Sequence, residues 1–202
     1  MEKRDFKKEL KHLYNPSAKE VSFADVPPMT FLMLDGQGDP NNSPVFQAAV
    51  ETLFTLSYTL KFMIKKGETA IDYGVMPLEG LWWHDDMEKF SVEDKSSWKW
   101  TLMIMQPELI SAEMVEEARK VAEKKKPARL DEVRFESFHE GTAAQIMHIG
   151  PFSEEKPAVD KIHKYIEDQG KTKRGKHHEI YLSDIRKANP ANWKTVIRQG
   201  ME

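Results

Sequence analysis

"MTFLMLDGQGDPNNSPVFQAAV" (Met29–Val50) decides the fold. It opens as an apolar strand, breaks at the glycine-aspartate turn Gly36–Pro40, and restarts as a helix. Ser43 or Asn42 can cap that helix, with Pro44 at the first helical position, where a missing N–H costs nothing. From Val45 to Lys65 the apolar residues Phe46, Ala49, Val50, Leu53, Phe54, Leu56, Leu60, Met63 and Ile64 recur at spacings of three and four. That spacing predicts a long amphipathic helix. Lys65-Lys66-Gly67 closes it with positive charge and a glycine, as the helix dipole favours.

The plan recurs in "AQIMHIGPFSEEKPAVDKI" (Ala144–Ile162): strand, glycine turn, proline, helix. Each helix is followed by a glycine and then by a strand holding Tyr and Glu, "IDYGVMPLE" (Ile71–Glu79) in one half and "HHEIYLSD" (His177–Asp184) in the other. Either these are two ordinary strand-helix-strand segments alike by chance, or two small units share a core about a pseudo-dyad; we take the second.

The remaining elements fit around the repeat. Lys19–Pro27, Ala70–Trp83 with a proline-glycine interruption, and Trp98–Pro107 read as strands, the last covered on both faces at its end. His84–Ser97 reads as a polar loop. Ser111–Lys126 reads as a helix capped by Ser111 that crosses between the halves. Leu130–Gly141 and Thr142–Phe152 read as a hairpin turning at Glu140-Gly141. Ser153–Gly170 reads as a helix capped by Ser153, and Asn192–Gln199 as a last short strand. Residues 1–17 form an N-terminal extension that is a short helix or lies loosely on the surface. Residues 18–202 form the domain: a first unit at about 18–106, the crossover helix at about 111–126, and a second unit at about 130–200. The fold class is α+β: two pseudo-symmetric strand-helix-strand-strand units forming a mostly antiparallel curved sheet, with helices on one face and a ligand groove on the other.

The totals narrow the function. The chain has 202 residues, 40% apolar and 31% charged, which suits a globular domain rather than a disordered one. A net charge of −3 gives no electrostatic reason to expect nucleic acid as a partner. "KTKRGK" (Lys171–Lys176) is basic, but short, and reads as a solvated turn. With no cysteine, disulfides, thiolate catalysis and Cys-zinc sites are excluded. The charged N-terminus lacks the apolar run of a signal peptide, and no stretch approaches the roughly 20 apolar residues that span a bilayer. The expected location is the cytoplasm, away from the membrane. The seven histidines include no HExxH spacing, and His177 and His178 point to opposite strand faces, so no metal site is expected. "GQGDP" (Gly36–Pro40) lacks the rest of a dinucleotide fingerprint, and no cofactor is expected.

The glycine-containing strand ends with a proline near each helix start, "PLEGLWW" (Pro77–Trp83), and "HHEIYLSD" followed by "NWKTVIRQ" together resemble the GyrI-like small-molecule-binding proteins. These are relatives of the effector-binding domains of multidrug-responsive transcription activators and of the gyrase-inhibitory protein. The resemblance runs over about residues 18 to 200, carried by the order of loose motifs rather than by any one. It implies paired strand-helix-strand-strand units with a binding groove, a glutamate in that groove at Glu179, and aromatic walls from Tyr73, Trp82, Trp83 and Tyr181. It also makes hydrolysis of cyclopropane-containing DNA-alkylating natural products an available activity. No helix-turn-helix is expected ahead of the domain, which would leave promoter regulation without a reader.

Glu179 and Tyr181 are two apart and share a strand face, while Ile180 and Leu182 face the other way. If the apolar pair meets the helices, the polar pair faces the groove. There a carboxylate among rings is partly desolvated, which raises its pKa towards that of a usable base. It can instead serve as counter-charge to an amphipathic cation, or sit exposed on an edge strand beside a lysine. Trp82 and Trp83 point to opposite faces, so at most one enters the groove; the other packs as core or rim. Tyr73 or Tyr181 can donate to an oxygen where negative charge develops. Three functions follow: binding, with hydrolysis, of bulky aromatic molecules; non-catalytic sensing or sequestering; or a gyrase-inhibitor-like protein-interaction module.

Overall fold

The computed structural model describes residues 1–41, 43–86 and 96–202. The chain is α+β, with an eight-stranded antiparallel sheet and five α-helices among the described residues. It divides into two compact units. Unit one comprises Met1–Glu9, Met29–Met76 and Trp82–Phe138; unit two comprises Leu10–Pro28, Pro77–Leu81 and His139–Glu202.

In unit one, β1 (Glu2–Arg4) pairs parallel with β4 (Ile71–Tyr73), and the short α1 (Phe6–Glu9) follows β1. The sheet strands run from the end of β5 (Leu78–Trp83) through β6 (Lys99–Gln106) and β3 (Met29–Gln37) to β7 (Arg134–Phe138). β3 and β6 are long and largely buried on both faces, as their continuous apolar runs predict. α3 (Pro44–Lys66) lies on both. Its start is the expected one: Ser43 Oγ accepts from the Phe46 N–H at 3.2 Å and Pro44 occupies the first turn. Asn42, the other candidate cap, lies outside the described residues, as does most of the polar loop after His84. α4 (Ala112–Ala122), capped by Ser111, packs on α3. Gly36 is opposite Trp100 in the β3–β6 ladder, and a Cβ there would stand 2.0 Å from the Trp100 ring. The indole fills the space a side chain would take.

In unit two the strands run β2 (Ser22–Val26), β8 (Gly141–Ile149), β10 (Lys194–Met201), β9 (Lys173–Tyr181), then the start of β5. α2 (Lys11–Tyr14) buries Leu13 and Tyr14. α5 (Lys156–Asp168) covers Ala144, Ile146, Ile197 and Met201 with Ile162 and Ile166.

The two units carry the expected repeat. β3 pairs antiparallel with β6, and β8 with β10, each pair bracketing a helix and the strands that follow it: α3, β4 and β5 in the first run, α5 and β9 in the second. Four details differ from the sequence reading. β7 and β8 do not form a hairpin: β7 pairs with β3 and β8 with β2. At their junction Gly141 takes φ +68°, a conformation that favours glycine, and the Glu140 side chain turns inward. α5 begins at Lys156, because Phe152–Glu154 forms a single 3-10 turn and Ser153 caps nothing. The Ala70–Trp83 stretch is two strands, β4 and β5. The basic residues Lys173–Lys176 are strand, not turn.

Candidate active site

Cross-strand register assigns the faces of unit two. Ile146, Ile197 and Glu179 are successive partners across β8, β10 and β9, and partners in a ladder share a face. Ile146 and Ile197 pack on α5, so Glu179 stands on the face that bears α5. The expected assignment is therefore reversed: Glu179 and Tyr181 share the helix side, and Ile180 is buried on the opposite side. α5 lies over β8 and β10, which places the β9 row at the helix flank. His163 on α5 reflects this. Burial, with the nearby charges of Lys173 and His177, holds its pKa below the ordinary value.

Three alternate residues of β9 form the row. Tyr181 donates its phenol O–H to Glu179 Oε2 at 2.7 Å, and His177 Nε2 lies 2.9 Å from Glu179 Oε1. A carboxylate only accepts, so each oxygen meets a donor and the group is fixed in orientation. Its side chain is 14% exposed: enclosed, but reachable. An aromatic ring lies against Tyr181. Phe152 meets Tyr181 edge-to-face at 5.7 Å and Trp193 at 5.0 Å, and Trp193 donates its indole N–H to the Ala188 carbonyl.

The structure thus brings Glu179 and Tyr181 into direct contact. The other expected residues belong to unit one. Trp82 is buried, its ring stacked on Phe46 at 6.0 Å and edge-on to Trp98 at 5.5 Å. Trp83 is half-buried on the other face of β5. Tyr73 is 2% exposed and edge-on to Phe6, with no hydrogen-bond partner for its hydroxyl among the described residues. Burial raises its pKa, so it keeps its proton. Among the described residues no group of three or more His, Asp or Glu is placed to hold a metal.

The opposite face of β9 carries a buried charge network that the sequence reading missed. Gln145, Arg198 and His178 are register partners across β8, β10 and β9. His178 bridges two carboxylates, Glu140 Oε2 at Nδ1 and Glu79 Oε2 at Nε2, each at 2.9 Å. Arg198 donates to Glu140 at 3.2 Å, to Gln145 at 3.1 Å and to the Leu13 carbonyl at 2.6 Å. Tyr14 donates to Glu79 at 2.7 Å, and Gln145 to the His12 carbonyl at 2.7 Å. Two acids and two bases thus cancel in the interior and tie α2 to the sheet. Despite burial, the carboxylates on either side push His178 up to about 9. Also against its burial, His178 and Arg198 draw Glu140 down to about 2. Part of the signal was in the sequence: Glu79 and Arg198 each follow apolar residues within a strand, whereas His178 sits among polar neighbours in β9.

A model of the GyrI-like small molecule binding domain matches residues 19–198. The chain belongs to the GyrI-like family. It is similar to a conserved protein of Listeria innocua, at 44% identity and TM-score 0.90 over 98% of this chain and 99% of that one. A hydrolase encoded by lin2189 of the same organism matches at 42% identity and TM-score 0.88 over the whole of both chains. The EcmrR C-terminal domain shares the fold at 15% identity and TM-score 0.54, over 91% of this chain and 97% of that one. No curated protein matches the chain. No helix among the described residues is long and apolar enough to cross a membrane.

Proposed function

We propose that this GyrI-like chain binds bulky aromatic or amphipathic molecules against the β9 row of unit two and hydrolyses those carrying a strained electrophilic ring, with Glu179 as base. The observation that carries the reading is the Glu179 carboxylate, held on one oxygen by the Tyr181 phenol and on the other by the His177 imidazole, with Phe152 edge-on to the Tyr181 ring. A merely electrostatic cation site needs rings around a carboxylate but no such orienting donors. The Listeria innocua relatives described as hydrolases, at 42% and 41% identity, support chemistry at such a fold.

The substrate class is a cyclopropane fused to a conjugated dienone. Water adds through its oxygen to the strained ring carbon. The ring C–C bond breaks, and its electron pair passes into the dienone, which becomes a phenol. Glu179 takes the water proton, and the same proton count returns to the dienone oxygen. Ring strain supplies much of the drive, so one oriented base and one proton donor suffice. Tyr181 orients Glu179 in the free protein. Tyr73, whose protonated hydroxyl is unmatched among the described residues, belongs with Trp82 and Trp83 to unit one, and Tyr73→Phe tests separately whether that phenol takes part. Such an activity would protect a cytoplasm from alkylating xenobiotics.

The test is incubation of the purified protein with a cyclopropane-bearing alkylator, product being followed by mass spectrometry, alongside Glu179→Gln, Tyr181→Phe and Tyr73→Phe. Loss of turnover in Glu179→Gln is expected. Turnover undiminished in that variant overturns the assignment. Tryptophan quenching by the ligand without any turnover leaves a binder and removes the hydrolase.

A further inference from the structure

The solvent face of α3 is an aromatic stripe with no role in the site above. Phe54, Tyr58 and Phe62 follow one another at four-residue spacing, so their rings lie along one side of the helix. Phe54 and Tyr58 have centroids 6.3 Å apart, and Tyr58 and Phe62 stack at 6.4 Å. Tyr58 is 44% exposed and Phe62 46%. The other side of the helix is buried against β3, β6 and α4, so these rings contact one another and nearby lysines while leaving apolar surface open to solvent.

The order of residues along the stripe is two-fold symmetric. It reads Glu51, Phe54, Tyr58, Phe62, Lys65, with spacings of three, four, four and three about Tyr58. The aromatic residues at either end match, and the charges at either end are opposite. Lys61 and Lys65 share one carboxylate, Asp72, at 3.4 and 2.7 Å, so that end keeps a net positive charge. Lys66 adds to it, with its Nζ 6.0 Å from the Phe62 ring. Glu51 lies exposed at the other end. We propose that α3 pairs antiparallel with α3 of a second copy of this chain, about a two-fold axis at Tyr58. Phe62 then meets Phe54 of the other copy, and the Lys65 end meets Glu51 of the other copy. A parallel pairing would set like charges together. An unrelated apolar partner or a lipid surface would give no reason for the palindrome. Closed two-fold pairing also caps assembly at two.

The contact is small. Three partly exposed rings per copy offer on the order of 300 Å², or about 600 Å² for the pair, below the roughly 1,200 Å² of stable interfaces. The dimer is therefore weak and forms only at high protein concentration. Sedimentation velocity from about 10 μM to about 1 mM spans the range where such a contact acts. A concentration-dependent shift from monomer to dimer is expected, weakened at least about tenfold by Phe62→Glu, with the circular dichroism spectrum unchanged.

The absence of cysteine makes the geometry directly testable. Glu51→Cys and Lys65→Cys variants are prepared separately and treated with a short bifunctional maleimide. Facing positions cross-link only when the two variants are mixed, because in either one alone the two thiols lie about 21 Å apart along the paired helices. A single monomeric species at every concentration overturns the proposal. So does cross-linking within either variant alone that matches the mixture, or adhesion to anionic vesicles without any dimer.

Discussion

Replacing His178 by Gln removes the one cation that bridges Glu79 and Glu140. A buried imidazole whose pKa rises from 6.5 to about 9 stabilises the fold by about 3 kcal/mol, at about 1.4 kcal/mol per pH unit. Glu140, drawn down to about 2, is held by the same contact, so the gain counts once. The sign follows from the raised value. The contribution is complete below pH 6.5 and fades as pH rises through 9, where the native state gives up the proton. Loss of the bridge leaves Glu140 to Arg198 and Glu79 to the neutral Tyr14 hydroxyl, both carboxylates being buried. Urea unfolding at closely spaced pH values, read by tryptophan fluorescence, measures both effects. Wild type should lose about 3 kcal/mol between pH 7 and about pH 10 beyond any loss in the variant. His178→Gln should start about 3 kcal/mol lower at pH 7 and lack that step. Parallel stability curves for the two proteins over this range would refute the bridging imidazolium.

Two further stability changes follow from the packing. Gly36→Ala forces the buried Trp100 ring to move, since a Cβ would come within 2.0 Å of it; a loss of at least about 3 kcal/mol is expected by denaturant melt, with altered near-ultraviolet dichroism. Tyr14→Phe takes away the O–H that Glu79 accepts, and should cost about 1–3 kcal/mol while leaving far-ultraviolet dichroism intact.

The sequence displayed some of this plainly and hid the rest for physical reasons. α3 was legible because cap, first-turn proline, period and closing glycine agree along one segment. The repeat was legible because both helices are bracketed by the same strand and turn residues. The partners of β7 and β8 were not, because adjacency and a glycine favour a hairpin, whereas the pairing is decided by strands over a hundred residues away. The strand Lys173–Lys176 was hidden because exposed basic residues at a strand end look like a turn. Alternation put Glu179 and Tyr181 on one face but could not say which face carries the helix. α2 engages the other side of the sheet through Tyr14 and the carbonyls of His12 and Leu13, a contact that the reading of the N-terminal residues as a short helix or a loose surface segment did not supply. The polar network was readable only in part, from charges that follow apolar residues within a strand, since its members lie far apart in sequence.

The central claim is that Glu179 acts on bound ligand rather than simply holding it. The most direct measurement is a single-turnover reaction in heavy-oxygen water, with ligand affinity determined separately by tryptophan quenching. Wild type should place one heavy oxygen in the opened product. Glu179→Gln should bind within about threefold of wild type and open the ring at least about a hundredfold more slowly. Equal rates in the two proteins, or a loss that lies wholly in binding, would contradict it.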